Sequence, residues 1–356
     1  MDVILPIEVF TMGNLAMINI HGNDLTGQLP SEVGLLTSLT YLQVSMNQFD
    51  GPIPTDIGRL TSIQRLRIYS NVFTGSLPSE LGQLTNMTSF SCYLNSINGS
   101  LPTNLGRLTG IQSLRMYSND FTGSVPSELG QLTNMTDLQV SRNALSGSLP
   151  TDLGRLAGIQ VLLAHRNAFS GFLPSELGKL INMTRFSCYR NSLNGSIPSE
   201  LGWLTSMEQL TVYRNTFTGS LPSELGLMTN MTSFSCYLNS IDGSVPTDLG
   251  RLTSIQVLRM YSNDFTGSVP SELGQLTSMT NFQVSQNYLS GSQPHELGRL
   301  SNLTRLNMRH NFLSGSLPTE AGLLTQLTAL SLRSNSFDGP LPSELGLLSK
   351  LTLVCC

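Results

Sequence analysis

LTNMTSFSCYLNSINGSLPTNLGRLT, residues 84–109, returns with small changes along the whole chain at a step of twenty-four residues. Asparagine keeps that step without a slip, at Asn23, Asn47, Asn71, Asn95, Asn119, Asn143, Asn167, Asn191, Asn215, Asn239, Asn263, Asn287, Asn311 and Asn335. A Gly follows each Asn by four (Gly27 to Gly339), a Pro by seven (Pro30 to Pro342) and a second Gly by eleven (Gly34 to Gly346). A fixed period of this size implies a solenoid, in which each repeat is one coil that buries its apolar side only by stacking on its neighbours.

Within the quoted coil Leu84, Met87, Phe90, Cys92, Ile97 and Leu101 are the apolar positions. Phe90 and Cys92 flank Ser91, a period of two that marks a short strand with one buried face. Neighbouring coils repeat that strand, so the strands stack in parallel into one long sheet. Asn95 ends the strand, and its amide can donate and accept, so a buried row of Asn can satisfy turn backbone groups that face no water. Gly99 supplies a turn position tolerant of left-handed dihedrals. Pro102 fixes one dihedral, and Thr103, like Ser79 before it, is expected to cap a short helical turn. An acid follows that position from Glu32 to Glu344, with Asn104 the one break.

The frame LxxLxLxxN followed by xFxGxLPxELGxLT resembles the plant-type leucine-rich repeat, over essentially the whole chain. The resemblance implies an α/β solenoid, a right-handed horseshoe or superhelix of about fourteen coils. It places a parallel sheet on the concave face and short 3-10 or α turns on the convex face. It also implies extracellular or cell-surface recognition, as in receptor ectodomains and polygalacturonase-inhibitor-like proteins, without a cofactor.

A solenoid core grows by stacking, so all 356 residues are expected to form one elongated domain. Charged residues are 12% and the net charge is −4, which argues against a nucleic-acid partner. No run of eighteen apolar residues exists to span a membrane, and MDVILPIEVF lacks the basic and apolar regions of a signal peptide. Both ends read as cut in mid-coil: Pro6 and Glu8 hold the Pro and acid positions of a coil before Asn23, and Leu351, Val354 and Cys356 fall in register for another strand. The paired-cysteine cap of secreted relatives is missing at the N-terminus. Cys92, Cys188 and Cys236 take the second buried strand position and read as small buried hydrophobes. Cys355 and Cys356 are either a truncated strand or the remnant of a capping disulfide.

Side chains six, four and two residues before each Asn point away from the core, with the residue just before the Asn beside them. These positions hold Arg65, Arg67, Arg115, Arg142, Arg166, Arg185, Arg190, Arg214, Arg259, Arg305, Arg309 and Arg333, and only one acid, Asp137. An acidic protein therefore carries a basic sheet face. Tyr69, Tyr93 and Tyr117 form one file; Tyr189, Tyr213, Tyr237 and Tyr261 form a second. Arg142, Arg166, Arg190 and Arg214 precede Asn in four successive coils, where like charges in file repel. With His165, Arg185 and Arg259 these arginines and the second tyrosine file make the expected ligand-binding face, for a protein, peptide or acidic glycan. Stacked tyrosines that merely stiffen the sheet, and solvated arginines, are the competing reading. Residues 86–133 return almost unchanged from Asn230, so recurrence there can record copying rather than selection.

Enzymatic function is not expected. His21, His165, His295 and His310 are scattered, and no HExxH, GxSxG, phosphate-cradling loop or metal-spaced cluster occurs. A structural or adhesive scaffold is one alternative. An ice-binding surface is another, because the residue after the turn Gly is Ser in ten coils, Ser76 and Ser100 among them. Glycosylation sequons stand at Asn86, Asn98, Asn134, Asn182, Asn194, Asn230 and Asn302 and permit a secreted life. Trp203 takes a convex slot and reads as partly exposed packing.

Overall fold

The computed structural model describes residues 3–4 and 6–355, so Cys356 and the pairing considered for it lie outside the described residues. The chain divides into two compact units, Met1–Ser170 and Gly171–Cys356. In the first, the strands Met17–Asn19, Tyr41–Gln43, Arg65–Arg67, Ser89–Ser91, Ser113–Arg115, Asp137–Gln139 and Val161–Leu163 lie side by side in chain order. Their register is the sequence period: Tyr41 stands beside Arg65, Arg65 beside Ser89, and Ser89 beside Ser113. The second unit repeats the arrangement from Arg185–Ser187 to Leu353–Cys355, again in chain order. That last strand pairs in register with Ala329–Ser331, as the spacing of Leu351 and Val354 predicts.

Each strand faces the core as its period of two requires. Leu84, Met87, Phe90, Cys92 and Ile97 are fully buried, and so are Cys188 and Cys236. Burial also pushes these thiols far above their ordinary range, which keeps them protonated and unreactive. After the main strand, short second strands such as Asn98–Ser100 and Asp120–Gly123 pair in parallel, and Gly99 takes φ 73° there.

Short 3-10 segments complete the coil, from Ile7–Thr11, which follows Pro6 as the spacing predicts, to Ser343–Leu347. The capping expectation is corrected here. Pro78 and Pro102 occupy the cap position, no side chain caps the segments, and Ser79 Oγ instead donates to the Glu80 carboxylate at 3.3 Å. The ring of Pro already sets the entry dihedral, so a hydroxyl cap adds nothing. Neighbouring segments touch through the second Gly row. A Cβ on Gly82 would lie 2.4 Å from the Asn104 carbonyl oxygen, so only Gly permits this approach.

The Asn row stitches coil to coil. Asn95 donates from Nδ2 to the carbonyls of Cys92 in its own coil (3.0 Å) and Ile68 in the previous one (3.1 Å), while its Oδ1 accepts from the Phe73 N–H (3.1 Å). Burial is less uniform than expected: Asn47, Asn71, Asn119, Asn215, Asn263, Asn287 and Asn311 are buried, most of the others half-buried, and Asn23 is exposed.

Gln293 replaces the Leu, Ile or Val that precedes Pro in every other coil, and its Oε1 is buried without a hydrogen-bond partner among the described residues. Burying an unpaired amide is costly, so Gln293→Leu is expected to raise stability by about 1–3 kcal/mol. Urea denaturation checks this, and a lowered midpoint would show a polar contact at that amide.

Candidate functional site

The residue just before each Asn has left-handed backbone, which the spacing of polar and apolar residues does not reveal. Arg142, Arg166, Arg190 and Arg214 have φ between 54° and 56°, and Leu94, Gln286 and His310 share that conformation. Such dihedrals cost a non-glycine residue roughly 1–2 kcal/mol. The conformation keeps the turn hydrogen-bonded: the N–H groups of Arg190 and Asn191 reach the Tyr213 and Arg214 carbonyls of the next coil at 3.0 and 3.2 Å. It also turns the arginine side chains outward, and all four are exposed.

The residues expected to form one face belong to both units. Arg142, His165 and Arg166 lie in the first; Arg185, Tyr189, Arg190, Tyr213, Arg214, Tyr237, Arg259 and Tyr261 lie in the second. His165 is half-buried, and burial, reinforced by the Arg142 and Arg166 charges, holds it down at about 4. It is therefore neutral at physiological pH and adds no charge to the patch. Its ring is expected to titrate near pH 4 by NMR. Since the unfolded imidazole protonates around 6.5, stability should be complete above that pH and fall as pH drops toward 4. A normal titration midpoint would contradict this environment.

In the second unit the four tyrosines form a continuous stack, with ring centroids 4.3, 4.2 and 4.3 Å apart and planes within 12° of parallel. Each pair stabilises the sheet by roughly 0.5–1.5 kcal/mol. Partial burial raises the Tyr213 and Tyr237 hydroxyls above their ordinary range, so they stay protonated and can donate. Arg185, Arg190 and Arg214 are exposed, Arg259 is half-exposed, and none of the four enters an ion pair among the described residues.

The first unit stacks Tyr69, Tyr93 and Tyr117 at 4.4 Å, and burial raises Tyr93 to about 12. Its strand arginines Arg65, Arg67 and Arg115, however, are engaged. Arg115 Nε contacts the Asp137 carboxylate at 2.6 Å, and Gln139 and Ser113 donate to the same acid. Arg67 donates to the Tyr41 hydroxyl at 3.2 Å, and Arg65 lies over the Tyr41 ring. The sequence marks Asp137 as a lone acid but does not reveal its neutralising role. The register sets Asp137 opposite Ser113 and Arg115 opposite Gln139, so the pair spans neighbouring strands on the diagonal, 22 positions apart.

Elsewhere, Trp203 is 56% exposed at the end of its 3-10 segment. Among the described residues no group of three or more His, Cys, Asp or Glu side chains could hold a metal, and no helix is long and apolar enough to cross a membrane.

Parallel 24-residue coils with Asn-stitched turns define a repeat solenoid. The leucine-rich-repeat region model matches residues 3–124, and the leucine-rich-repeat model matches 254–276, 302–324 and 326–348. Together these span more than half of the chain, which belongs to the leucine-rich-repeat family and carries its plant-type repeat. The plant peptide hormone receptor RGFR1 in complex with RGF2 is similar at a TM-score of 0.98 and 33% identity, over 99% of this chain and 57% of that one. The ectodomain of the Arabidopsis receptor kinase HAESA in complex with an IDA peptide hormone gives 0.91 and 32%, over 97% and 58%. A leucine-rich-repeat protein of Leptospira interrogans gives 0.78 and 30%, over 98% and 86%. The chain thus spans less than two thirds of the two receptor chains. No curated protein matches it.

Proposed function

We propose that this chain is a non-enzymatic recognition solenoid, extracellular or at the cell surface, that binds an anionic peptide or protein segment on the main sheet of its second unit. The carrying observation is the pairing of a four-tyrosine stack with Arg190 and Arg214, which no carboxylate among the described residues neutralises, whereas the first unit spends Arg115 on Asp137. Protonated tyrosine hydroxyls and guanidinium groups are donors, so the face suits an acceptor-rich partner, and Arg grips carboxylates in bidentate fashion. An acidic glycan such as oligogalacturonate meets the same chemistry. RGFR1 and HAESA, similar in fold and above 30% identity, hold peptide hormones in their solved complexes, which favours the peptide. Arg142 and Arg166 around neutral His165 offer a smaller patch of the same kind in the first unit.

The test is calorimetric titration of the full chain with an oligoglutamate peptide and with oligogalacturonate. Binding should weaken as salt rises, because exposed charges are screened within about 10 Å at 0.1 M. Arg190→Gln with Arg214→Gln should lower affinity more than about tenfold, from lost charge-assisted hydrogen bonds. The denaturation midpoint should stay equal or rise. Equal binding by the double variant would sink the site, and loss of folding would make the arginines structural.

A further inference from the structure

Two successive coils of the second unit break the pattern of the main sheet. The position two residues before the ladder Asn holds His, Ser or Tyr from His21 to Ser285, and Arg only at Arg309 and Arg333. Both lie outside the duplicated block. The register sets Arg305 beside Ala329 and Asn307 beside Ser331. These small neighbours leave a hollow of about 310 Å³ in the sheet face, and Arg305, Arg309 and Arg333 all line it. Arg305 and Arg333 are exposed and Arg309 is half-buried. No acid lines the hollow, and none of the three arginines enters an ion pair among the described residues. Arg309 Nε is sealed and unpaired among the described residues, so an anion would reach that guanidinium only through its terminal nitrogens.

We propose that this hollow holds a tetrahedral oxyanion, the phosphate or sulfate group of a monoester carried by a partner molecule. Arg309 and Arg333 stand at the same position of neighbouring strands, roughly 4.8 Å apart, where like charges repel. In the first unit Asp137 supplies the carboxylate that Arg115 meets, but here the fold supplies none. A phosphate monoester carries close to two negative charges and three terminal acceptor oxygens. It can therefore meet three guanidinium groups at once, whereas a lone carboxylate brings one charge and two oxygens. A sulfate monoester offers the same three oxygens. The Asn307 amide and Ser331 hydroxyl in the lining add neutral donors, and exposed Leu353 gives the rest of the ester an apolar wall. The site goes beyond the proposed peptide face and uses none of its arginines or tyrosines.

Phenyl phosphate, phenyl sulfate and benzoate are titrated into the full chain by calorimetry at low salt, where exposed charges are least screened. One ester should bind more than about tenfold more tightly than benzoate, and the tighter of the two names the group the site takes. Arg309→Gln with Arg333→Gln should weaken that ester more than about tenfold. Its denaturation midpoint should stay equal or rise, because the two charges no longer repel. Arg305→Gln, an exposed change that leaves the core intact, should weaken the ester too and carries the test if the double variant fails to fold. The Arg190/Arg214 variant should bind the ester unchanged, so failure of this site and failure of the peptide face are told apart. Benzoate binding as tightly as both esters, undiminished binding by the arginine variants, or no binding of either ester would overturn the proposal.

Discussion

Asn71→Ala is expected to lower the unfolding free energy by about 3 kcal/mol, from several buried groups losing their partners at once. Asn71 is 8% exposed, and its Nδ2 donates to the Val44 and Ile68 carbonyls, both at 3.1 Å. Its Oδ1 accepts the Phe49 N–H at 3.0 Å, so truncation opens contacts in two coils. Asn23 is the built-in control. It is exposed and donates only to Ile20 and His21 of its own coil among the described residues. Asn23→Ala should therefore stay within about 0.5 kcal/mol of wild type. Equal costs at the two positions, measured by urea denaturation, would show that local turn bonds and not inter-coil bridging give the row its value.

The second large effect belongs to the glycines of the 3-10 wall. A Cβ at Gly202 would lie 2.3 Å from the carbonyl oxygen and 2.5 Å from the carbonyl carbon of Glu224. Backbone atoms cannot rotate aside as a flexible side chain would. Gly202→Ala should push its coil from the next and cost about 2–3 kcal/mol, in the range of overpacked cores. Gly346 holds the same sequence position, yet a Cβ there would meet nothing within 4 Å. Gly346→Ala should be near neutral. A neutral Gly202→Ala in the same denaturation measurement would mean that the coils slide apart at no cost.

How much of this was legible in the sequence depends on whether a feature repeats. The strand at Phe90 and Cys92, the turn at Gly99 and the bridging Asn95 each carry a residue type that only one environment explains, and the period multiplies that signal. Chain order in the sheet follows because a fixed repeat leaves no other stacking. The outward-facing Arg and Tyr files were legible for the same reason, and the tyrosines do stack. Other features were not. The left-handed turn before each Asn is held by Met46, Ser70, Leu94 and Arg142 alike, so no residue type marks it. Hydrogen bonds to the next coil hold it, and these are not written locally. The Arg115–Asp137 pair depends on neighbouring strands and on side-chain reach, which spacing alone does not supply. Ser79 and Thr103 have the composition of caps, but Pro had already taken that place.

The central claim is that the second unit's tyrosine stack and unpaired arginines form the binding face. Hydroxyl-radical footprinting with and without the oligoglutamate peptide tests it most directly, because two similar tyrosine files in one chain control for each other. The account predicts slower oxidation of Tyr189, Tyr213, Tyr237 and Tyr261 on binding, with Tyr69, Tyr93 and Tyr117 unchanged. Protection of the first file alone, or of neither while peptide is bound, would contradict it.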